Sequence, residues 1–254
     1  AKALDKSVLK ARTMINMDSE DEGVATVSCA GGLRVQFTKE IQRTTVQGSL
    51  LTLKVEGLLG GHSGQDIDKE RQNADLLMAR MIQRLLKETK GQLVSFNGGT
   101  KDNAIPRECE ASLIYESDEE AAKAEELACE LAETYAEELT PAEPDFSCEI
   151  SCETNRTAEA IPQDAAKEFI CAMRLAPNGI QKRNIKMDGF VVVSLNLGVV
   201  RTEEDRIVMI FSPRSSVASL QEDTKERLNT LAETFGFTVS HSSEYPGWSF
   251  KEDS

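Results

Sequence analysis

The order of two hydrophobic periodicities along the chain constrains its fold more than any other feature. Four segments carry apolar residues three and four positions apart, the spacing of an amphipathic helix: residues 66–90, 118–139, 165–175 and 217–235. Between them lie strand-like segments, which either alternate apolar and polar residues or are short and apolar: residues 33–37, 49–55, 92–97, 108–115, 145–152, 190–197, 206–212 and 237–241.

From residue 49 the order is strand, helix, strand, strand, helix, strand, which is the split unit of ferredoxin-like folds. Helix, strand, strand, helix, strand follow, and they repeat the pattern if the strand at residues 145–152 serves both units. The order therefore predicts an α+β fold of two fused ferredoxin-like units, with a largely antiparallel sheet and helices on one face. Ser117 and Glu120 predict a capping box at the start of the second helix.

The charge balance restricts the partners. A formal net charge of −14 repels phosphate backbones and anionic membranes, so we expect no nucleic-acid or membrane partner. No apolar run approaches the roughly 20 residues that span a bilayer, and the start of the chain does not have the pattern of a signal peptide. These features favour a cytoplasmic protein.

The six cysteines favour a reduced protein over a disulfide framework. Cys109, Cys148 and Cys152 occupy alternate positions beside apolar residues, which is typical of small buried side chains. The alternative is a C-x-x-x-C metal site at Cys148 and Cys152. Since only His62 and His241 are available as histidine ligands, this alternative has little support.

The first candidate functional segment is residues 14–23, where a short apolar run ends in acidic residues. Ligands gather beyond the carboxyl ends of strands in open α/β sheets, and Asp18 is placed like a carboxylate offered to a metal there. A solvated acidic turn is the alternative.

The second segment is Gly57-Leu58-Leu59-Gly60-Gly61-His62-Ser63-Gly64, between a strand and a helix. Its glycines allow close backbone approach, and the following helix start offers free amides to an anion. No lysine follows the glycines, so the segment is not a P-loop. His62 is a candidate site residue, or else a polar loop histidine.

Two further candidate segments lie where one predicted secondary-structure element connects to the next. Asn103 belongs to Asn103-Ala104-Ile105-Pro106-Arg107 between two strands, where asparagine is also common as a turn residue. Arg214 belongs to Ser212-Pro213-Arg214-Ser215-Ser216 at a strand-to-helix junction, where an arginine can hold a carboxylate through two hydrogen bonds. A surface arginine near a helix cap is the alternative.

Taken in order, these segments resemble the aminoacyl-histidine dipeptidases (Xaa-His dipeptidases, bacterial carnosinase-like enzymes) of the co-catalytic zinc peptidase family that also contains aminoacylases. The resemblance runs from near one end of the chain to the other. The matching stretches are residues 15–23, Cys29-Ala30-Gly31-Gly32, Gly60-Gly61-His62-Ser63-Gly64, Val94-Ser95-Phe96-Asn97-Gly98-Gly99, Asn103-Ala104-Ile105-Pro106-Arg107, Ser194-Leu195-Asn196-Leu197-Gly198, Ser212-Pro213-Arg214-Ser215-Ser216 and Ser243-Glu244-Tyr245-Pro246-Gly247-Trp248.

The resemblance implies a lid inserted into a catalytic domain. Residues 1–31 would be an edge of the catalytic domain, in a strand that ends at Asp18, and residues 246–254 would return to it. Residues 32–245 would form the lid, which often mediates homodimer formation in this family.

The resemblance also implies the roles of the candidate residues. Asp18 would be a terminal ligand of one of two divalent metal ions, taken as zinc. His62 and Asn103 would stabilise charge on the reacting carbonyl, and Arg214 would bind the carboxylate of an Xaa-His dipeptide.

The family's remaining metal ligands and its general base lie outside this chain. Because a dinuclear site needs several fixed ligands, we expect the chain alone to hold no metal tightly and to have no peptidase activity. Two other functions stay open from the sequence. One is a stand-alone ferredoxin-like module that binds an amino acid or dipeptide, and the other is a dimerisation module.

Overall fold

The computed structural model describes residues 28–187 and 189–248, together with Ser7, Lys10 and Gly23. The four helices are α1 (Ala74–Glu88), α2 (Asp118–Leu139), α3 (Gln163–Leu175) and α4 (Ala218–Thr234). The strands are β1 (Gly31–Glu40), β2 (Thr44–Glu56), β3 (Gly61–His62), β4 (Gln92–Gly98), β5 (Ala104–Ile105), β6 (Cys109–Tyr115), β7 (Ser147–Ala160), β8 (Gly179–Arg183), β9 (Val191–Thr202), β10 (Arg206–Ser215) and β11 (Thr238–Tyr245).

Within the described residues, nine strands form one sheet, in the order β11-β1-β10-β9-β4-β6-β2-β7 with β8 attached to β9. Neighbouring strands pair antiparallel throughout. The helices contact one another in the order α2, α1, α3, α4, which forms a single helical layer over the sheet. The predicted α+β fold with a large antiparallel sheet and four helices is confirmed.

The sheet divides into two ferredoxin-like units, but the second unit is built differently from the prediction. The first uses β2, α1, β4, β6, α2 and β7. The second uses β1, α3, β9, β10, α4 and β11, so that its first strand precedes the whole of the first unit. The prediction that residues 145–152 serve both units is wrong, because β7 lies at the opposite edge of the sheet and pairs only with β2.

The two units meet where β4 pairs with β9 at Gly98 and Val200. Arg201 reinforces this seam, since its Nη1 atom donates to the carbonyl of Gly98 at 2.6 Å. The backbone N–H of Phe96 donates to Thr202 Oγ1 at 2.9 Å across the same seam. Side-chain bonds therefore supplement the single described backbone pair between the units.

Helix α1 begins later than predicted. Asn73 caps it, with its side chain accepting from Asp75 N at 3.0 Å and Leu76 N at 3.3 Å. The preceding residues instead form turns and a short 3₁₀ segment at Ile67–Lys69, because Asp66 bonds back to the loop that carries His62. The polar residues that suggested a first helical turn therefore serve the loop.

The predicted capping box at α2 is half right. Ser117 accepts a hydrogen bond from Glu120 N at 3.4 Å, as a cap does. The Glu120 carboxylate accepts from Lys90 N at 3.0 Å, which ties α2 to the end of α1. Glu120 therefore links two helices and does not complete the capping box.

The core lies between the sheet and the helical layer and is continuous across both units. In the second unit, Phe37 contacts Phe211 and Phe237 with ring centroids 4.8 and 6.0 Å apart. In the middle, Phe96 of β4 packs edge-on against Phe169 of α3. Each such fully buried ring contributes about 1.5–3 kcal/mol through burial.

All six cysteines are free, as predicted. Cys109 is buried, while Cys148 and Cys152 are half-buried. No helix among the described residues has the length and apolar character needed to cross a membrane.

Candidate ligand-binding site in the second unit

The glycine-rich segment forms a short ribbon that presents His62. Strand β3 pairs with β5, with His62 opposite Ala104. Gly60 and Gly61 have φ of +58° and +139°, values that favour glycine, and so turn the chain into the ribbon. The backbone N–H of His62 donates to Asp66 Oδ2 at 2.8 Å. The loop is therefore held by its own side chains.

The ring of His62 is held by its Nδ1 atom. This nitrogen accepts hydrogen bonds from Gly64 N at 3.2 Å and Gln65 N at 3.1 Å. Because an accepting ring nitrogen carries no proton, the N–H of the neutral imidazole lies at Nε2. The loop thus leaves Nε2 as the hydrogen-bond donor for a ligand.

Arg214 is a cation without an acidic partner. Strand β10 places it opposite Gly32 of β1 and Ser194 of β9. Its Nη1 atom donates to the hydroxyl of Tyr245 at 2.9 Å, and its buried Nε has no hydrogen-bond partner. None of the ion pairs among the described residues includes Arg214. Such a guanidinium has the chemistry to hold an anion through charge-assisted hydrogen bonds.

Gly64 allows His62 and Arg214 to lie beside each other. A Cβ atom at Gly64 would lie 3.1 Å from His62 Cε1 and 3.3 Å from Arg214 Cζ. A side chain at this position would stand between the imidazole and the guanidinium. The glycine therefore leaves the space between the two groups open.

Asn103 joins the same site. It lines a cavity of about 170 Å³ together with Arg214 and Tyr245. Its backbone carbonyl accepts from Ser63 N at 2.9 Å, which fixes the Asn103 turn to the histidine loop. Asn103 and Arg214 thus share this cavity, and His62, which does not line it, lies beside Arg214 at Gly64. A larger cavity of about 630 Å³, between the 57–61 and 99–108 segments, is lined by none of them.

Two supporting residues were missed by sequence reasoning. Asn196 is buried within the apolar strand β9, and its Nδ2 atom donates to the carbonyl of Ala104 at 2.8 Å, which anchors the ribbon. An asparagine inside a nearly continuous apolar run is a signal of such a role, because buried polar groups need partners. Tyr245 is the other: it stands in one of the stretches that carry the family resemblance, but the sequence assigned it no role.

Asp75 is a buried carboxyl group under the seam between the units. It has no exposed surface, and neither oxygen has a hydrogen-bond partner of ordinary geometry. Burial raises the pKa of Asp75 to about 8, although the neighbouring Cys109 thiol and Arg201 favour the charged form. The same burial, with Asp75 beside it, raises the pKa of Cys109 well above its usual value. Asp75 is thus largely protonated at neutral pH.

The predicted metal ligand cannot be placed. Asp18 lies outside the described residues. In the described part of the chain, no group of three or more His, Cys, Asp or Glu side chains is arranged to hold a metal ion. The candidate site in the described residues thus offers hydrogen-bond donors and a positive charge, at His62 and Arg214.

Known peptidases share sequence and structure with this chain. Residues 53–143 match the family described as the peptidase dimerisation domain. The cytosol non-specific dipeptidase of Escherichia coli (strain K12) is 31% identical over 246 residues, which cover 94% of this chain and 50% of that protein. The crystal structure of aminoacylhistidine dipeptidase from Vibrio alginolyticus superposes with a TM-score of 0.90 at 32% identity, covering 100% of this chain and 52% of that one.

The chain is therefore similar to peptidases that carry this dimerisation domain, in agreement with the predicted resemblance. Residues 53–143 correspond to the dimerisation domain of those peptidases. The chain spans about half the length of the relatives it matches.

Proposed function

We propose that this chain is the lid of a cytoplasmic, metal-dependent dipeptidase that hydrolyses Xaa-His dipeptides. The observation that supports the proposal best is the placement of His62 and Asn103 beside Arg214, which forms no ion pair with another described residue. An anion receptor beside a neutral hydrogen-bond donor suits a dipeptide, whose carboxylate lies one residue away from its scissile carbonyl.

In this proposal the lid binds the substrate and polarises its scissile carbonyl, while the metal ions are held by the catalytic domain. Arg214 holds the substrate carboxylate through charge-assisted hydrogen bonds. His62 Nε2–H and the Asn103 side chain donate to the carbonyl oxygen as negative charge develops on it. Residues 32–245 form the lid, and residues 1–31 and 246–254 belong to the catalytic domain, where Asp18 is a ligand of one of two zinc ions.

Assembly as a homodimer is part of the proposal. The match to a peptidase dimerisation domain covers α1, β4, β6 and α2. Next to this region, β7 is an edge strand of 14 residues whose side chains are mostly exposed. A long edge strand offers unpaired backbone groups to a second copy of the chain.

The 254-residue chain alone is expected to hydrolyse no Xaa-His dipeptide, with or without added zinc, because its described residues contain no metal centre. A complete protein that contains this chain is expected to do so. The measurement is histidine release by both proteins at equal concentration. Zinc-dependent hydrolysis by the chain alone would contradict the proposal, and dipeptide binding without hydrolysis by the complete protein would favour a stand-alone binding module.

Replacing His62 in the complete protein by glutamine is expected to lower kcat by about 10²–10³, with KM changed much less. The reason is that Nε2–H stabilises charge that develops mainly in the transition state. The matched control is His241→Gln, since His241 is the only other histidine and its exposed ring bonds only to Asn229 among the described residues. Equal losses in the two variants would contradict a specific role for His62.

A further inference from the structure

Tyr245 connects the ligand site to the end of the lid. It is the last residue of β11 and lies opposite Gly32 of β1. A Cβ atom on Gly32 would lie 2.7 Å from the Tyr245 hydroxyl oxygen and 3.0 Å from Cζ. Because the first distance is shorter than real Cβ contacts and the second is tighter than most of them, a side chain at position 32 would displace the ring.

The hydroxyl of Tyr245 is directed at Arg214. It accepts a hydrogen bond from Arg214 Nη1 at 2.9 Å, and both side chains line the cavity that contains Asn103. Tyr245 fixes the guanidinium without neutralising it, because a neutral phenol accepts the bond. A carboxylate at the same place would fix Arg214 equally well but would compete with an anionic ligand.

The backbone around Tyr245 is tightly held. Cys29 and Trp248 exchange two backbone hydrogen bonds, at 3.1 and 2.9 Å. A Cβ atom on Gly31 would lie only 2.4 Å from Gly247 N. The start of β1 is therefore in close contact with the backbone just after β11. These contacts hold the backbone next to Tyr245 against the start of β1.

We propose that Tyr245 is a positioning residue that holds Arg214 in the orientation that receives the substrate carboxylate. The inference rests on the proposed function of Arg214 as the carboxylate receptor. A long arginine side chain has many rotamers, and a fixed partner reduces the freedom that is lost when the ligand binds. Tyr245 itself makes no contribution to the chemical step.

The test is Tyr245→Phe in the complete protein, which keeps the ring over Gly32 and removes only the hydroxyl. We expect KM for an Xaa-His dipeptide to rise about tenfold while kcat stays within about twofold, as for the loss of one hydrogen bond to a charged group. With the C-terminal amide of the same dipeptide, which has no carboxylate for Arg214, we expect little difference between the variant and the unchanged protein.

The matched control is Tyr135→Phe, because Tyr135 is a buried tyrosine on α2 whose hydroxyl has no hydrogen-bond partner among the described residues. We expect its kinetic constants to be unchanged. An equal loss on dipeptide and amide in Tyr245→Phe, or no rise in KM, would overturn the positioning role. Failure of the proposed function is distinguishable, since Arg214→Met would then also leave the preference for the dipeptide over its amide unchanged.

Discussion

Replacing Arg214 by methionine in the complete protein is expected to lower kcat/KM for an Xaa-His dipeptide about a thousandfold. Methionine keeps much of the side-chain length but leaves the substrate carboxylate unpaired in a partly buried site. The loss of one partner from such a charge pair costs about 2–5 kcal/mol, and the upper part of that range corresponds to a thousandfold. The measurement is steady-state kinetics with the dipeptide and with its C-terminal amide.

The amide provides the internal reference, because it carries no charge for Arg214 to bind. We expect the preference for the dipeptide over the amide to collapse in Arg214→Met. Arg174→Met is the matched control, since Arg174 lies on α3 and bonds to Gln83 on the helical face. An undiminished preference for the dipeptide in Arg214→Met would show that the carboxylate is bound elsewhere.

Asp75 is expected to make the stability of the fold depend on pH. Its pKa in the folded state is about 8, against an ordinary value of 3.8. Below about pH 4 both folded and unfolded chains hold the proton, and the contribution to stability is fully present. As the pH rises towards 8 the unfolded chain releases its proton while the folded chain keeps it, so stability falls by up to about 1.4 kcal/mol per pH unit.

Asp75→Asn removes this titration with little change of shape. We expect the variant to be more stable than the unchanged chain at pH 8 and to have a flatter stability profile between pH 5 and 8. Urea unfolding at several pH values measures the difference, and Asp223→Asn, at an exposed position on α4, is the control. A constant difference between Asp75→Asn and the unchanged chain over this pH range would contradict a buried, protonated Asp75.

The helices and most strands were predictable from local pattern, because periodicity reports which face of an element is buried. Partners in the sheet were not, since pairing depends on contacts distant in sequence. Strand β1 lies more than 160 residues before β10, with which it pairs, and nothing local indicates that it completes the second unit. The polar half of β7 escaped detection for another reason: an edge strand with both faces exposed has no alternation.

The candidate residues were predictable one by one, whereas the residues that hold them in position were not. Glycines around His62 and the junction at Arg214 are local signals. The closeness of His62 to Arg214 depends on how the ribbon packs against the sheet, which Asn196 and Gly64 determine. Tyr245 became visible only through its bond to Arg214 across β1.

The central claim is that His62, Asn103 and Arg214 receive a dipeptide whose hydrolysis is catalysed by groups outside this part of the chain. A crystal structure of the complete protein with a phosphinic analogue of an Xaa-His dipeptide tests it most directly. We predict that the analogue's carboxylate lies within about 3.2 Å of the Arg214 guanidinium, and that His62 Nε2 lies within hydrogen-bond distance of a phosphinic oxygen. An analogue bound with its carboxylate and phosphinic oxygens held entirely by other residues would contradict the claim.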